Sequence, residues 1–172
     1  FIYLASKLNV RLEFGLQTIH KNEGKEINRQ NRIKKISRVF NKLHEINFDF
    51  EVSIIFGLPE QTLESFCKTV EWCLSHKIPR IKAYPLMLLR GTKLEQEKEK
   101  WGLIQSEGSM PMVIESNSFT KSEWIKMYKI SEILKETEEN HPSMNTLLNK
   151  IKEKSIDLSR FRPEISVKKL VE

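Results

Sequence analysis

The chain is poor in the residues that build a self-contained catalytic centre. Its 172 residues include two cysteines, Cys67 and Cys73. They match no Cys-x-x-Cys pattern and sit among core-type residues of a helical stretch. That excludes a metal ribbon, a dithiol redox pair and a disulfide scaffold, and leaves two reduced, core-filling thiols. The four histidines, His20, His44, His76 and His141, have no metal-ligand spacing; His44 and His76 fall near expected helix ends, where a dipole contact is the usual role. The glycines form neither a Walker loop nor a Gly-x-Gly-x-x-Gly fingerprint, and no Ser-His-Asp or Cys-His arrangement is present. No apolar run of transmembrane length, leader peptide or lipidation signal is found, so a cytoplasmic protein without a membrane partner is expected. The length is short for a complete α/β barrel, which takes about 250 residues, and position 1 is Phe. Together these predict a piece of a longer polypeptide.

Charge is the one excess. Twenty-nine Lys and Arg against 23 Asp and Glu give a net charge of +6. Such a balance permits nucleic-acid or phosphate partners. The cations are scattered over helix faces (Lys34, Lys35, Arg38, Lys42) and a basic tail (Arg160, Arg162, Lys168, Lys169) without interleaved aromatics, a pattern that also describes a solvated surface. A non-catalytic nucleic-acid- or protein-binding module therefore stands as the alternative reading.

The rest of the pattern is β/α alternation. Residues 1–8 have the apolar spacing of a helix end, closed by Asn9. Val10, Leu12 and Phe14 alternate with Arg11 and Glu13, which predicts a strand with Glu13 on the face opposite its apolar neighbours; there it needs a ligand, or an ion pair with Arg11 or a neighbouring strand. After a polar stretch over 19–31, Asn31 can cap a helix running to Ile46. Glu51 to Phe56 form a continuous apolar-rich run that breaks at Gly57-Leu58-Pro59, as a strand covered on both faces does. Thr62 then caps a helix with Leu63, Phe66, Val70, Cys73 and Leu74 on its buried stripe. A third strand follows Pro79 and ends near Pro85, and Lys93 to Trp101 reads as one charged helix closed by Gly102. Short connections between these elements predict parallel strands with right-handed crossovers. Beyond residue 103 the texture changes: a short edge strand at Met112–Ile114, a capping box at Thr120-Lys121-Ser122-Glu123, a helix carrying Trp124, Met127, Ile130, Ile133 and Leu134, a shorter helix around Leu147, and a loosely ordered tail.

Leu12-Glu13-Phe14-Gly15-Leu16-Gln17-Thr18, Asn28-Arg29, Ser53-Ile54-Ile55-Phe56-Gly57-Leu58-Pro59-Glu60-Gln61-Thr62, Tyr84-Pro85-Leu86 and Arg90-Gly91-Thr92, in this order and spacing, resemble the second half of a radical S-adenosylmethionine (SAM) enzyme. The resemblance spans about residues 9–103. It points to the branches with a cobalamin-binding domain and to the relatives of oxygen-independent coproporphyrinogen oxidase. It implies a partial (β/α) barrel of six units, of which these would be strands four to six (residues 1–103), followed by a mostly helical extension (residues 104–172) over the barrel mouth or its open side. It also implies an enzyme that reductively cleaves SAM to a 5′-deoxyadenosyl radical and acts on an unknown substrate. Gln17 and Ser53 would then lie beside the ribose, with Glu13 a further polar candidate; Arg29 would face the methionine carboxylate. Ile55, Tyr84 and Leu86 would line the adenine. Implied cofactors are SAM, a [4Fe-4S] cluster and, in one branch, cobalamin. Two departures stand out. Ser53 occupies a position where relatives often carry Asp, and the Cys-x-x-x-Cys-x-x-Cys cluster loop is absent. The resemblance therefore makes the N-terminal half of the same polypeptide the expected partner and this stretch by itself inactive.

Overall fold

The computed structural model describes residues 2–5, 7, 8 and 10–164. Of the expected first helix it shows α1 (Ile2–Ala5); Asn9 at its end and Lys168 and Lys169 of the tail lie outside the described residues. Next come β1 (Leu12–Gln17), α2 (Lys21–Glu26), α3 (Ile33–Glu45), β2 (Phe50–Phe56), α4 (Leu63–Ser75) and β3 (Arg80–Pro85). The three strands form one parallel sheet in the order β1-β2-β3. This is a mixed α/β chain with the architecture of a partial β/α barrel.

Register assigns the faces. Leu12, Phe14, Leu16, Phe50, Val52, Ile54 and Phe56 meet the helices, and Phe40 of α3 stacks on Phe50 with ring centroids 5.3 Å apart and meets Phe14 edge-on at 5.5 Å. Alternation then sends Glu13, Gly15, Glu51, Ser53, Ile55, Lys82 and Tyr84 to the other face, in rows set by the pairs Glu13↔Glu51, Gly15↔Ser53, Ser53↔Lys82 and Ile55↔Tyr84. Thr62 caps α4 through a capping box with Ser65. The expected cap at Asn31 is not formed. Arg32 is the N-cap of α3, without a side-chain bond, because the Asn31 amide is engaged elsewhere.

The expected charged helix is two short ones, α5 (Lys93–Gln96) and α6 (Lys98–Trp101), interrupted at Glu97; Gly102 ends the second in the left-handed conformation, as expected. The edge strand is β5 (Val113–Glu115), paired antiparallel with β4 (Ile104–Gln105). Then come α7 (Lys121–Glu136), α8 (Met144–Glu153) and a 3-10 turn at Leu158–Arg160. α7 runs against the strand direction on the face that α4 covers. Its Trp124 lies 5.7 Å from Phe56 near the carboxyl ends, and Glu138 and Glu139 beyond its other end meet Arg80 and Lys82 at the start of β3. α7 thus occupies the place of the crossover helix that α5 and α6 are too short to supply. Side chains from both sides of position 103 share one apolar core. The tail is anchored at least to residue 164: Phe161 is buried against Trp124 and Tyr128, and Glu164 N–H donates to the Gln105 carbonyl at 2.8 Å.

Asp49, ahead of β2, accepts Arg11 Nε at 2.8 Å and also bonds Arg80, and the Arg11 guanidinium holds its carboxyl below the usual range. This charge cluster closes the amino-terminal ends of the strands. One corner of β3 is sealed by His141, whose Nε2 takes the Ile81 N–H at 3.2 Å. Burial pushes the His141 imidazole below its ordinary value, against the pull of Glu138. The unfolded chain therefore takes up this proton first. Stability from neutral His141 is fully present above about pH 6.5 and is lost as pH falls through the folded-state value. The urea midpoint is expected to drop between about pH 7.5 and 5.5, with His141→Gln flattening that part of the profile; an unchanged slope in the variant would clear His141 of the role.

Candidate functional site

At the carboxyl end of β1 the ladder slips between Gly15 and Gln17. Gln17 has φ 63, and Thr18 N–H donates back to the Leu16 carbonyl at 2.8 Å, closing a three-residue γ-turn. A side-chain-bearing residue in this conformation is strained and persists only where its surroundings hold it. They do so here. Asn31 Nδ2 donates to the carbonyls of Leu16 and Thr18, the latter at 3.0 Å, and the Thr18 hydroxyl accepts His20 N–H at 3.1 Å. Thr18 Oγ1 in turn donates to Glu23 Oε2 at 2.5 Å.

The turn places the Gln17 amide beside Gly15. A Cβ at Gly15 would come 2.8 Å from Gln17 Nε2 and 3.0 Å from Arg29 Nη2, so the bare α-carbon is what leaves both polar heads room. Arg29 Nη2 also donates to the Gly15 carbonyl at 3.2 Å. Arg29 arrives there because Asn28, with φ 53, turns the chain at the end of α2, and Arg29 N–H closes on the Gly24 carbonyl at 2.7 Å. A Cβ at Gly24 would stand 2.5 Å from the Arg29 carbonyl oxygen; only glycine permits this approach. Directly across the sheet from Gly15 is Ser53, 5% exposed, whose hydroxyl donates to Glu13 Oε1. Glu13 thus finds its partner in Ser53, while Arg11 is taken by Asp49 and Glu51.

Four of the expected residues, Glu13, Gln17, Arg29 and Ser53, therefore converge on one glycine. Ile55 and Tyr84 form the next row on the same face, with Tyr84 51% exposed. Leu86 is placed differently. Its side chain is buried in the core, its N–H donates to the Phe56 carbonyl and its carbonyl accepts Val113 N–H, both at 2.8 Å. Beside Tyr84 a groove of about 740 Å3 runs between β3, the loop before β5 and α7, lined among others by Met87, Met110, Met112, Tyr128 and Lys135.

Sequence reasoning missed the residues behind this face. Gln61, fully buried, accepts the N–H groups of Gly57 (2.7 Å) and Leu58 (3.3 Å) through Oε1, and its Nε2 donates to the Ile55 carbonyl (3.1 Å) and Glu23 Oε2 (3.3 Å). Glu23 itself is 0% exposed. Nothing in the polar stretch 19–31 marks Glu23 as buried, since its burial depends on β1 and the Gly57 turn meeting over it. No group of three His, Cys, Asp or Glu among the described residues is arranged to hold a metal. Cys73 is buried, and burial pushes the Cys67 thiol up to about 11.

No family model matches the chain. Among curated proteins, the heme chaperone HemW of Buchnera aphidicola is 26% identical over 145 residues, 84% of this chain and 38% of HemW. Among solved structures, archaeal Elp3 from Methanocaldococcus infernus superposes on 70% of this chain and 27% of its own with a TM-score of 0.50 and 19% identity. Coproporphyrinogen III oxidase (HemN) of Escherichia coli, a radical SAM enzyme, is 28% identical over 48% of this chain and 19% of its own, with a TM-score of 0.45. These likenesses support the reading of the chain as similar to radical SAM proteins. The chain spans well under half the length of these relatives. Ligands of α/β folds collect at the carboxyl ends of the strands, and the Gly15 cluster lies at that end of β1. No helix of the described residues is long and apolar enough to cross a membrane.

Proposed function

We propose that the face around Gly15 binds the nucleoside and amino-acid parts of SAM and that the chain contributes this half of the site to a longer radical SAM enzyme. The observation that carries the reading is the convergence of a guanidinium, an amide and a hydroxyl–carboxylate pair on a glycine whose missing Cβ leaves room for a ligand. The donor set fits the group. Arg29 can fork onto the methionine carboxylate. Glu13, bonded to Ser53, supplies the carboxylate acceptor for ribose hydroxyls that an Asp at position 53 would supply elsewhere, which explains how Ser53 can be tolerated. Gln17 offers a donor and an acceptor from a locked backbone turn. Ile55 and Tyr84 give an apolar flank for adenine; Leu86 can take part through its carbonyl but not its buried side chain.

The described residues do not fit a [4Fe-4S] cluster, so its ligands are assigned to the remainder of the polypeptide, which is this chain's proposed partner. The cluster would supply an electron for reductive cleavage of SAM; Glu13, Gln17, Arg29 and Ser53 would bind, orient and screen the SAM. No residue here is assigned to cobalamin. The groove beside Tyr84 is proposed for the second reactant. The full-length protein, reconstituted with iron, sulfide and SAM under a low-potential reductant, is expected to form 5′-deoxyadenosine. Its absence, with the cluster spectroscopically intact, would refute the reading.

A further inference from the structure

The buried Glu23 carboxylate is used unevenly. Oε2 takes the Thr18 hydroxyl at 2.5 Å and the Gln61 amide at 3.3 Å. Oε1 is buried with no hydrogen-bond partner. A polar atom buried without a partner weakens the fold, so Oε1 is not there for stability. What the carboxylate does provide is a joint. Through Thr18 it reaches the γ-turn that carries Gln17; through Gln61 it reaches the N–H groups of Gly57 and Leu58 and the carbonyl of Ile55. One side chain from α2 thereby ties together the ends of β1 and β2. The adjoining Gly24 makes the contact that places Arg29.

We infer that Glu23 is a positioning residue that couples the Gln17 turn to the Gly57 turn, and so holds the two halves of the ligand face in register. Its relevance to SAM rests on the function proposed above, but the coupling between the turns does not. The energetic signature is specific. Glu23→Leu removes the joint and leaves the buried Thr18 hydroxyl and one Gln61 amide hydrogen without their acceptor, so local order at both turns falls.

The test uses the full-length protein and its Glu23→Leu, Glu23→Gln and Thr18→Val variants. Amide hydrogen exchange at Thr18 and Gly57 and binding of S-adenosylhomocysteine are read beside the urea midpoint. Glu23→Leu and Thr18→Val are expected to speed exchange at both turns by about tenfold and to weaken the ligand by a similar factor, an effect the size of one lost hydrogen bond. Glu23→Gln, which keeps an acceptor for Thr18, is expected to restore most of both. Exchange at Thr18 and Gly57 that is unchanged in Glu23→Leu and in Thr18→Val would overturn the inference, whatever the ligand does. Altered exchange in a protein that binds no S-adenosylhomocysteine would support the joint and count against the SAM reading alone. Should Glu23→Leu fail to fold, Thr18→Val, which preserves side-chain shape, decides the outcome by the same two measurements.

Discussion

Trp124→Ala is expected to cost about 3–5 kcal/mol, the range for deleting a large buried aromatic. Trp124 has no exposed surface and packs on Phe56 of β2 at 5.7 Å and on Phe161 of the tail at 4.9 Å, with Tyr128 stacked beside it at 5.4 Å. Single domains are stable by about 5–15 kcal/mol, so this one change takes a large fraction of the total. It does so because α7 is the outer layer of the sheet. The urea midpoint measures the effect. If α7 were an appendage, Trp124→Ala would leave the main transition in place and at most add a small early one; a single transition shifted to much lower urea is the expected result.

Arg29→Ala is expected to weaken SAM binding by about 10- to 100-fold, since hydrogen bonds to charged partners are worth about 1.5–3 kcal/mol. Stability should change by no more than about 0.5 kcal/mol, because Arg29 is exposed and, among the described residues, its side chain bonds to the Gly15 carbonyl while its backbone bond to Gly24 survives the change. Calorimetric titration of the full-length protein separates the two quantities. Arg29→Lys is expected to recover only part of the loss, because an ammonium cannot reproduce a two-pronged grip on a carboxylate. Wild-type affinity in Arg29→Ala would take Arg29 out of the site.

The sheet was legible because its rules are local. Alternation in Val10–Phe14, the apolar run ending at Gly57 and the cap residue Thr62 each announce themselves within a few residues. The two errors in the helices have a common physical origin. Asn31 has the chemistry of an N-cap, but its amide is spent on two carbonyls of a turn that sequence periodicity does not reveal. Lys93–Trp101 has helical composition, but only Leu94 and Trp101 near its two ends pack on the core, and nothing apolar between them keeps it continuous through Glu97. The position of α7 is likewise non-local: the chain makes a detour of more than thirty residues after β3 before supplying its covering helix.

The site divides in the same way. Glu13, Gln17, Arg29 and Ser53 are candidates through the family resemblance, and alternation with the strand register puts Glu13, Gly15 and Ser53 on one face. The γ-turn, the Glu13–Ser53 bond and the Glu23–Gln61 joint could not be named that way, because each depends on groups 5 to 40 residues apart being brought together by the fold. Leu86 shows the converse. It follows Tyr84 in the sequence motif, but it lies beyond the strand end, where the chain turns it into the core.

The most direct measurement is a crystal structure of the full-length protein soaked with SAM. The ribose is expected against Glu13 and Ser53, the methionine carboxylate on Arg29 and the adenine beside Ile55 and Tyr84. Ligand density confined to the groove along β3, with Gln17 and Arg29 free of contact, would contradict this placement.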